Sequence, residues 1–300
     1  MQFFYKIIYQ KNINFILRNI GRLLKPLLSQ NLYLPPAGKF VLKTNSGALN
    51  IHTNQTSYLT QILYWKGYKE FEYSGIFESL TKKIDVFIDI GSNIGYYSLL
   101  AAKSNPKIKV YAFEPALGPK YYLKKNIESN KFEDNIEYFD LALSNQSGEI
   151  EFFEVANVKY KYLDYNLAGE GNAGTKRTSR NFKKNYVKAI TLKNFIESKK
   201  LQKIDLIKID TEGTEIDILK SGYLEIINYK PIIICETLFN TIEFELETLF
   251  NELHYDFYNH TPYGLQKVNK ITRKLDDGIR NCFFVPKSKL SLIKPYLADT

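Results

Sequence analysis

Strand-like apolar runs alternate with helix-like segments through most of this 300-residue chain. Strands separated by helices need crossover connections, which make neighbouring strands parallel and put helices on both faces of the sheet. The alternation therefore predicts a doubly wound α/β fold with a mostly parallel, seven-stranded sheet. The predicted strands lie at residues 85–90, 108–113, 136–143, 204–210, 231–236, 255–258 and 281–285.

Other elements precede this alternation. Residues 39–53 have the pattern of a hairpin, and residues 56–82 hold two helical stretches. Hydrophobic residues make up 44% of the chain, which is enough apolar side chain for one sizeable core. We therefore predict three parts: a basic N-terminal segment (1–34), a lead-in hairpin with helices (35–80) and an α/β domain (81–290).

The net charge of +9 comes entirely from the N-terminal part. Nine Lys and Arg residues precede the first acid, Glu70, and the remaining 32 basic residues equal the 32 acidic ones. Apolar residues between Ile13 and Leu28 recur at steps of three and four, which predicts a basic amphipathic helix. Three interpretations stay open: the helix packs on the domain with its lysines in water, lies on an anionic membrane, or contacts another acidic partner.

The N-terminal pattern is not that of a membrane span or a signal peptide. Charges interrupt it long before the roughly 20 apolar residues that a bilayer crossing needs, and no apolar core precedes a cleavage site. Cys235 and Cys282 lie in strand-like runs, and one pair of cysteines in so long a chain is not a disulfide framework. We expect reduced thiols and a cytoplasmic protein, with any membrane contact at the inner face.

Acidic residues stand in or at the ends of five predicted strands: Asp89, Glu114, Asp140, Asp210 and Glu236. The carboxyl ends of parallel strands lie at one edge of the sheet, where such folds bind ligands. Several carboxylates at one edge repel each other unless a polyhydroxylated ligand, a cationic ligand or a metal offsets the repulsion. In the alternative interpretation, some of these acids only cap the helices that follow.

The loop after the first of these strands, DIGSNIG (89–95), is not a nicotinamide fingerprint. Counting from Gly91, the third and sixth positions are Asn93 and Tyr96 instead of glycines, and the lysine of a P-loop is missing. Gly91 allows close backbone approach to a ligand, and Glu114 comes 25 residues after Asp89, the distance expected for an acid that holds ribose hydroxyls. A nucleoside without pyrophosphate fits both facts, and S-adenosylmethionine (SAM) is the obvious candidate.

Five blocks of this sequence resemble the FkbM-type SAM-dependent methyltransferases, whose members mostly methylate hydroxyls of sugars, polyketides and other natural products. The matching blocks are DVFIDIGSNIGYYSLLAA (85–102), FEP (113–115), ALSNQSGEIEFF (142–153), KIDTEGTEIDILKSG (208–222) and PIIICE (231–236). The resemblance implies a class I, Rossmann-like methyltransferase fold. It also implies SAM as the cofactor and methyl transfer to a hydroxyl of a sugar, glycan or related small molecule.

Carried over position by position, the resemblance implies a cofactor site at the strand ends. The loop acid, glycines and asparagine would hold the amino-acid part of SAM, and Glu114 its ribose. Ser92 stands where alanine is commoner, and Asp140 would lie near the adenine. The implied cofactor-binding set is Asp89, Gly91, Ser92, Asn93, Gly95, Glu114, Asp140 and Ala142.

The KIDTEG block offers the best candidates for the chemistry. Lys208 and Asp210 share a strand face by the period of two, so Asp210 would end the strand beside the methyl donor. Methyl transfer to an alcohol needs the oxygen aligned behind the methyl group and its proton removed. We predict Asp210 as the base or acceptor-orienting group, with Lys208, Glu212 and Glu236 as its neighbours.

Two alternatives to this assignment stay open. In the first, Glu212 caps the next helix and Lys208 pairs with an acid for structural reasons only. In the second, which we do not favour, Asp210, Glu212 and Glu236 hold a divalent metal, since hard cations take oxygen ligands.

Residues 156–185 interrupt the alternation with a polar, glycine-containing and basic stretch. Its length exceeds that of a plain connector, and we interpret it as a mobile lid over the strand ends that binds the acceptor, with solvated disorder as the alternative. The basic residues would meet an acidic or phosphorylated sugar, and the tyrosines would stack on sugar rings. These residues are Lys159, Lys161, Lys176, Arg177, Arg180, Lys183, Lys184, Tyr160, Tyr162 and Tyr165.

Two rival functions use the same fold. An RNA ribose 2′-O-methyltransferase is favoured by the basic N-terminus, but such a site needs a lysine pair that this sequence does not place convincingly. A catalytically silent SAM-binding module is the other rival, and the intact strand-end acids and loop glycines argue against it. We therefore expect a sugar or small-molecule acceptor and no nucleic-acid partner.

Overall fold

The computed structural model describes residues 2–27, 32–157, 159–167 and 182–298. Its α-helices are α1 (Gln2–Ile8), α2 (Lys11–Leu23), α3 (Tyr58–Trp65), α4 (Ser74–Thr81), α5 (Tyr96–Ser104), α6 (Leu117–Asn130), α7 (Leu192–Lys199), α8 (Glu215–Ser221), α9 (Tyr223–Tyr229), α10 (Glu243–Glu252) and α11 (Leu290–Ile293). Its strands are β1 (Gly38–Thr44), β2 (Gly47–Thr53), β3 (Val86–Ile90), β4 (Lys109–Phe113), β5 (Ile136–Phe139), β6 (Ala142–Leu143), β7 (Gly148–Val155), β8 (Phe182–Ile190), β9 (Leu206–Ile209), β10 (Ile232–Glu236), β11 (Tyr255–Thr261), β12 (Gly264–Val268) and β13 (Asn281–Pro286).

The central sheet has the strand order β12-β11-β13-β10-β9-β3-β4-β5. The five strands from β10 to β5 are all parallel to their neighbours, whereas β13 lies antiparallel between β10 and β11. The predicted doubly wound, mostly parallel α/β fold is therefore confirmed. The seven predicted strands are present, and β12 adds an eighth at the edge through a tight hairpin with β11.

The strands of the sheet are buried on both faces, and their side chains alternate between two apolar cores. In β3 and β9, Phe87 and Leu206 point to the core shared with α4, α5, α6 and the β1–β2 hairpin. Ile88 and Ile207 point to the opposite core, shared with α7, α9 and α10. Because successive strand residues face opposite sides, this alternation decides which polar strand-end residues lie together.

A three-stranded sheet, in the order β6-β8-β7, lies between β5 and β9 in the chain. Strand β8 begins at Phe182, so the expectation that residues 182–185 belong to a loop is wrong. The reason is pairing: β8 runs antiparallel to β7 from Phe182 opposite Val155 to Ala189 opposite Gly148. Lys184, which we expected to face an acceptor, instead forms an ion pair with Glu151 of the neighbouring strand.

The β1–β2 hairpin is held to the α/β domain by asparagines of α6. The Asn126 amide is fully buried and accepts from the His52 backbone N–H at 2.6 Å while donating to the Ile94 carbonyl at 3.0 Å. Asn130 accepts from the Asn50 N–H at 2.8 Å and donates back to its carbonyl at 2.8 Å. These side chains complete the hydrogen bonds of β2, whose strand partner among the described residues is β1 alone.

Helix α2 packs on β1 and α3 through its polar side. Asn14 and Arg18 are buried, and the Lys25 ammonium donates to the Trp65 carbonyl at 2.7 Å. The helix therefore packs on the domain, as one of the three interpretations has it, and Lys25 stays exposed although its ammonium also binds the domain. Among the described residues, no helix combines the length and apolar character that crossing a bilayer requires.

Replacement of Asn126 by alanine should lower the free energy of unfolding by about 1 to 3 kcal/mol, because the buried His52 N–H and Ile94 carbonyl then lose their partner. Lys124→Ala, an exposed site on the same helix, is the control and should change stability by less than about 0.5 kcal/mol. Urea denaturation measures both. Equal effects of the two substitutions would contradict the role of Asn126.

Candidate active site

A cleft lies at the carboxyl ends of β3, β4 and β9. The strand order reverses between β3 and β9, and open α/β sheets bind ligands at such a switch point. The cleft, with its mouth, encloses about 840 Å³. We call it the first cleft; its lining includes Gly91, Asn93, Glu114, Ala142, Asp210 and Glu212.

Glu114 follows β4 and lies in the wall of the first cleft with its side chain buried. One carboxylate oxygen accepts from the Asn93 backbone N–H at 2.8 Å, and the other accepts from the Ala116 N–H at 2.9 Å. Burial raises the pKa of this carboxyl to about 7, although the two N–H donors act in the opposite direction. The group is thus held rigidly, with lone pairs left for a ligand.

The remaining wall of the first cleft is largely apolar. Phe113, Pro115, Leu141, Leu143 and Phe152 provide most of it. Apolar walls around one fixed carboxylate suit a flat, partly polar ring system joined to a polyhydroxylated group.

Gly91 allows β3 and β9 to approach closely at their ends. Its φ is +72°, and a Cβ atom at this position would lie 1.9 Å from the backbone oxygen of Asp210. The Gly91 and Ser92 N–H groups both donate to the Phe113 carbonyl, at 3.1 and 2.9 Å. The loop is therefore fixed between the neighbouring strands β4 and β9. Gly95, at φ +84°, lets α5 begin against Leu123 of α6.

Some of the expected cofactor residues have structural contacts instead of a place in the first cleft. The Ser92 hydroxyl donates to the Asp89 carbonyl at 2.8 Å. Asp140 lies after β5, is 59% exposed and pairs with Lys120 at 2.6 Å. Asp140 is not part of the first-cleft lining, whereas Ala142 is.

Lys208 is a buried cation at the junction of β3 and β9. Its ammonium lies 3.8 Å from Asp89 and 3.5 Å from Asp210, and it approaches the Gly91 carbonyl at 3.5 Å. Burial favours a lower pKa for Lys208, but Asp210, Asp89 and Glu72 outweigh it and hold the pKa above its usual value. Lys208 and Asp210 thus lie on the same side at the end of β9, as the period of two predicts, and the pairing of Lys208 with an acid that we considered as the alternative is present.

Asp89 lies opposite Lys208 in the β3–β9 register and is almost completely buried. One carboxylate oxygen accepts from the Ser98 hydroxyl at 2.6 Å. Within the described part of the chain the other oxygen has no hydrogen-bond partner, and the Lys208 ammonium lies 3.8 Å from it. Asp89 therefore holds the lysine in place from beneath the loop.

A second cleft of about 930 Å³ adjoins the first and shares Gly91, Asn93, Asp210 and Glu212 with it. We call it the second cleft. Its outer walls come from the hairpin side of the molecule, namely Thr56, Ser57, Tyr58, Leu59, Phe71, Glu72, Tyr96, Tyr97 and Leu167. Asp210 and Glu212 thus stand where a ligand in one cleft would meet a ligand in the other.

Glu72 is a site residue that the sequence analysis missed. It adopts φ +42°, an uncommon backbone conformation for glutamate, and its carboxylate accepts from the Tyr97 hydroxyl at 2.7 Å. Desolvation among the cleft walls raises the pKa of Glu72, with Asp210 adding to the effect and Tyr97 opposing it. Glu72 precedes the blocks that carry the family resemblance. The only sequence signal for it is an acidic residue between two helical stretches.

Carboxylate oxygens of Asp210, Glu212 and Glu236 all lie within 4.8 Å of one another. Glu212 adopts φ +61°, so the loop after β9 turns back at this residue. Glu215, a buried residue that the sequence analysis did not single out, shapes this loop: its carboxylate accepts from the N–H groups of Thr211 at 2.8 Å and Gly213 at 2.9 Å. The Glu215 carboxylate therefore holds the loop that leads into α8.

The predicted lid is described only in part, and Lys176, Arg177 and Arg180 lie outside the described residues. Tyr160 is buried against Tyr5 and Tyr9, and Tyr165 stacks on Tyr121 with ring centroids 3.9 Å apart. The expectation that Tyr160 stacks on an acceptor is therefore wrong, because protein rings bury it, whereas Tyr121 stacks on one face of the half-buried Tyr165 ring.

Comparison with known proteins finds a family model. The model of the methyltransferase FkbM domain matches residues 89–260.

Two relatives are methyltransferases by name. "Methyltransferase sdnD" of Sordaria araneosa is 25% identical over 151 residues, 44% of this chain and 58% of that protein. "Hexuronic acid methyltransferase AglP" of Haloferax volcanii is 27% identical over 150 residues, 48% of this chain and 54% of that protein. The chain thus covers little more than half the length of either relative.

Among solved structures, methyltransferase FkbM from Methylobacillus flagellatus is 16% identical with a TM-score of 0.43. The match covers 76% of this chain and 54% of that one. A precorrin-6y C5,15-methyltransferase from Geobacter metallireducens is 10% identical with a TM-score of 0.40, over 71% of this chain and 87% of that one.

Gly91→Ala should lower the free energy of unfolding by at least about 2 kcal/mol more than Gly278→Ala. Both glycines have positive φ, but an added Cβ at Gly278 meets no atom within 4 Å, whereas at Gly91 it meets a backbone oxygen. Both substitutions add backbone strain, but only the one at Gly91 adds a clash. The difference between their free energies of unfolding, measured by urea denaturation, therefore reports the close approach of β3 and β9. Similar losses would contradict the close packing at Gly91.

Proposed function

The chain belongs to the FkbM-domain methyltransferase family, and from this membership we propose that it transfers a methyl group from SAM to a hydroxyl of a sugar or related small molecule. The observation that carries the proposal is the pair of adjoining clefts, which share Gly91, Asn93, Asp210 and Glu212. We assign the first cleft to the cofactor and the second to the acceptor. Methyl donor and acceptor would then meet at Asp210.

The first cleft combines a fixed carboxylate with apolar walls, and both suit SAM. The Glu114 carboxylate, fixed by two backbone N–H groups, is suited to accept from two ribose hydroxyls, and the apolar walls suit an adenine ring. The cofactor supplies an electrophilic methyl group on a positively charged sulfur. Among the described residues, the acids Asp89, Asp210 and Glu72 outnumber the cation Lys208 at this junction, which favours a cationic ligand.

A sugar acceptor is supported by two features. One relative of this chain is named a hexuronic acid methyltransferase. The second cleft combines hydroxyl and carboxylate groups with the aromatic rings of Tyr58, Phe71 and Tyr96, a mixture suited to a polyhydroxylated ring that has one apolar face.

In the proposed reaction, Asp210 orients the acceptor hydroxyl and takes its proton. The new bond forms between the hydroxyl oxygen and the methyl carbon, the carbon–sulfur bond breaks in line, and the sulfur keeps the bonding electron pair. Lys208 holds the Asp210 carboxylate in place at 3.5 Å. Glu72, on the opposite wall of the second cleft, is placed to bind a second hydroxyl of the acceptor.

A metal-assisted form of the same reaction is the second candidate. Its specific support is the group of Asp210, Glu212 and Glu236, whose oxygens approach one another within 4.8 Å. Carboxylate oxygens suit Mg²⁺ or Mn²⁺, and such an ion would orient the acceptor oxygen in place of a base. Turnover that falls on treatment with EDTA and returns with Mg²⁺ or Mn²⁺ would favour this form.

Glu114→Gln should weaken SAM binding about 10- to 150-fold at pH 8, the effect of losing charged hydrogen bonds worth about 1.5 to 3 kcal/mol. Since the pKa of Glu114 is raised from 4.5 to about 7, wild-type affinity should strengthen as pH rises through about 7 and the carboxyl ionises. In the ligand-free protein, pH acts on folding stability in the opposite direction. Because the pKa is raised on folding, the stability that the protonated carboxyl contributes is lost as pH rises from 4.5 to about 7.

Isothermal titration calorimetry between pH 6 and pH 8.5 measures both effects on SAM binding. The Glu114→Gln variant should lose this part of the pH dependence. Glu128→Gln, an exposed site on α6, serves as the matched control and should bind like the wild type. Unchanged affinity of Glu114→Gln would remove Glu114 from the ribose site.

Asp210→Asn should reduce methyl transfer by about 10² to 10⁴, the usual contribution of a positioned base, while largely retaining SAM binding. The control is Asp217→Asn, an exposed acid on α8. Single-turnover measurement with labelled SAM and a panel of uronic acids and neutral sugars provides the readout. Activity within a few-fold of wild type would show that alignment alone drives the reaction.

A further inference from the structure

Helix α2 and the turn after it present a continuous row of apolar side chains to the outside. Their exposed fractions range from 37% to 83%, values found at isolated surface positions but here recurring at three- and four-residue steps along one face. We call this set the outer face of α2: Ile13, Ile16, Leu17, Ile20, Leu23, Leu24 and Leu27. In α1, Phe3 and Phe4 are also exposed, at 71% and 67%.

The opposite face of α2, which carries the polar residues, is the one in contact with the domain. Asn14 and Arg18 are 0% and 1% exposed, although both are polar. Asn14 accepts from the Ala37 N–H at 2.8 Å and donates to the Pro35 carbonyl at 3.2 Å. Arg18 donates to the Lys39 carbonyl at 3.2 Å and lies over the Tyr64 ring at 4.7 Å.

Further contacts fix this orientation along the helix. The Arg22 guanidinium also lies over the Tyr64 ring, 4.0 Å from its centroid, and donates to the Tyr64 carbonyl at 3.3 Å. A Cβ on Gly21 would lie 2.9 Å from the Trp65 ring, so helix and ring are in close contact. Rotating α2 to bury its apolar side would break all of these contacts and leave the Asn14 and Arg18 partners unsatisfied.

An amphipathic helix docked by its polar side leaves its apolar side for a partner. The charge of the segment indicates the chemistry of that partner: residues 1–69 contain nine basic residues and no acid. Lys6, Lys11, Arg22 and Lys25 of this segment are exposed. A basic segment that carries an exposed apolar row suits a surface with anionic headgroups above a hydrocarbon layer.

A second copy of the chain fits this surface less well. A symmetric contact through the outer face of α2 would bring two basic segments together without an acid in residues 1–69 of either copy. Their mutual repulsion would oppose the apolar contact, whereas an anionic bilayer adds attraction to it.

We propose that the outer face of α2 inserts into the headgroup and upper acyl region of an anionic bilayer, so that the protein binds one membrane leaflet without spanning it. The apolar row supplies insertion, and the flanking cations supply attraction to the lipid headgroups. This differs from a charge-only contact, because Arg18 is buried and Arg22 and Lys25 also bind the domain. The proposal does not depend on the proposed function.

Co-sedimentation of the full chain with vesicles of phosphatidylcholine alone, or with added phosphatidylglycerol, tests the proposal. We expect binding to the mixed vesicles that weakens but persists as salt rises. The triple variant Ile16→Ser, Ile20→Ser, Leu23→Ser should reduce the partition coefficient about 100-fold or more, because each buried apolar side chain contributes on the order of tenfold.

The matched control replaces equally exposed apolar residues elsewhere, in the triple variant Leu224→Ser, Phe244→Ser, Leu275→Ser. This control should bind vesicles like the wild type. Trp65 is the single tryptophan and is packed against α2, so an unchanged emission spectrum reports that the helix stays docked in each variant. If the α2 triple variant undocks, Leu23→Ser alone, at an 82% exposed site, replaces it with an expected loss of about tenfold.

Three results would overturn the proposal. One is full-length protein that does not bind the mixed vesicles at low salt. Another is vesicle binding that the α2 substitutions leave unchanged but Lys6→Gln with Lys11→Gln abolishes, since this would be charge attraction without insertion. The third is a concentration-dependent dimer in sedimentation analysis that the α2 substitutions dissolve, without vesicle binding, which would assign the face to a second copy.

Discussion

The site depends on one buried cation. Lys208 bridges the end of β3, through Asp89 and the Gly91 carbonyl, to the loop after β9, through Asp210. Removing a charge from water is costly unless partners surround it, so the ammonium stays in place only where these groups converge. Both loops that border the two clefts are thereby held in one arrangement, with the close approach at Gly91 as its steric counterpart.

Much of this arrangement follows from the sequence, and the remainder has identifiable reasons. Apolar runs separated by helices were enough to predict the sheet, and the period of two was enough to put Lys208 and Asp210 on one face. The register that sets Asp89 opposite Lys208 joins residues far apart in the chain, so no local pattern contains it. The same reason applies to Glu72. It belongs to the segment before the sheet, and its contact with Tyr97 depends on the folded structure.

The N-terminal helix shows a different limit of sequence analysis. The amphipathic pattern predicted the helix and its two faces, but a pattern does not state which face packs inward. Ordinary burial favours the apolar face. Here the polar face has partners on the domain, namely the carbonyls of Lys39, Tyr64 and Trp65 and the ring of Tyr64. The sequence does not predict these contacts, because they form only when the hairpin and α3 are folded.

Helix α1, which precedes the proposed membrane face, is joined to the proposed acceptor cleft by residues 159–167. Gln2 of α1 donates to the Lys159 carbonyl at 2.9 Å, and Tyr5 packs on Tyr160. At the other end of the loop, the Leu167 N–H donates to the Thr56 hydroxyl at 2.7 Å, and both residues line the second cleft. The same loop therefore contacts α1 at one end and, at the other, the wall that would receive the acceptor.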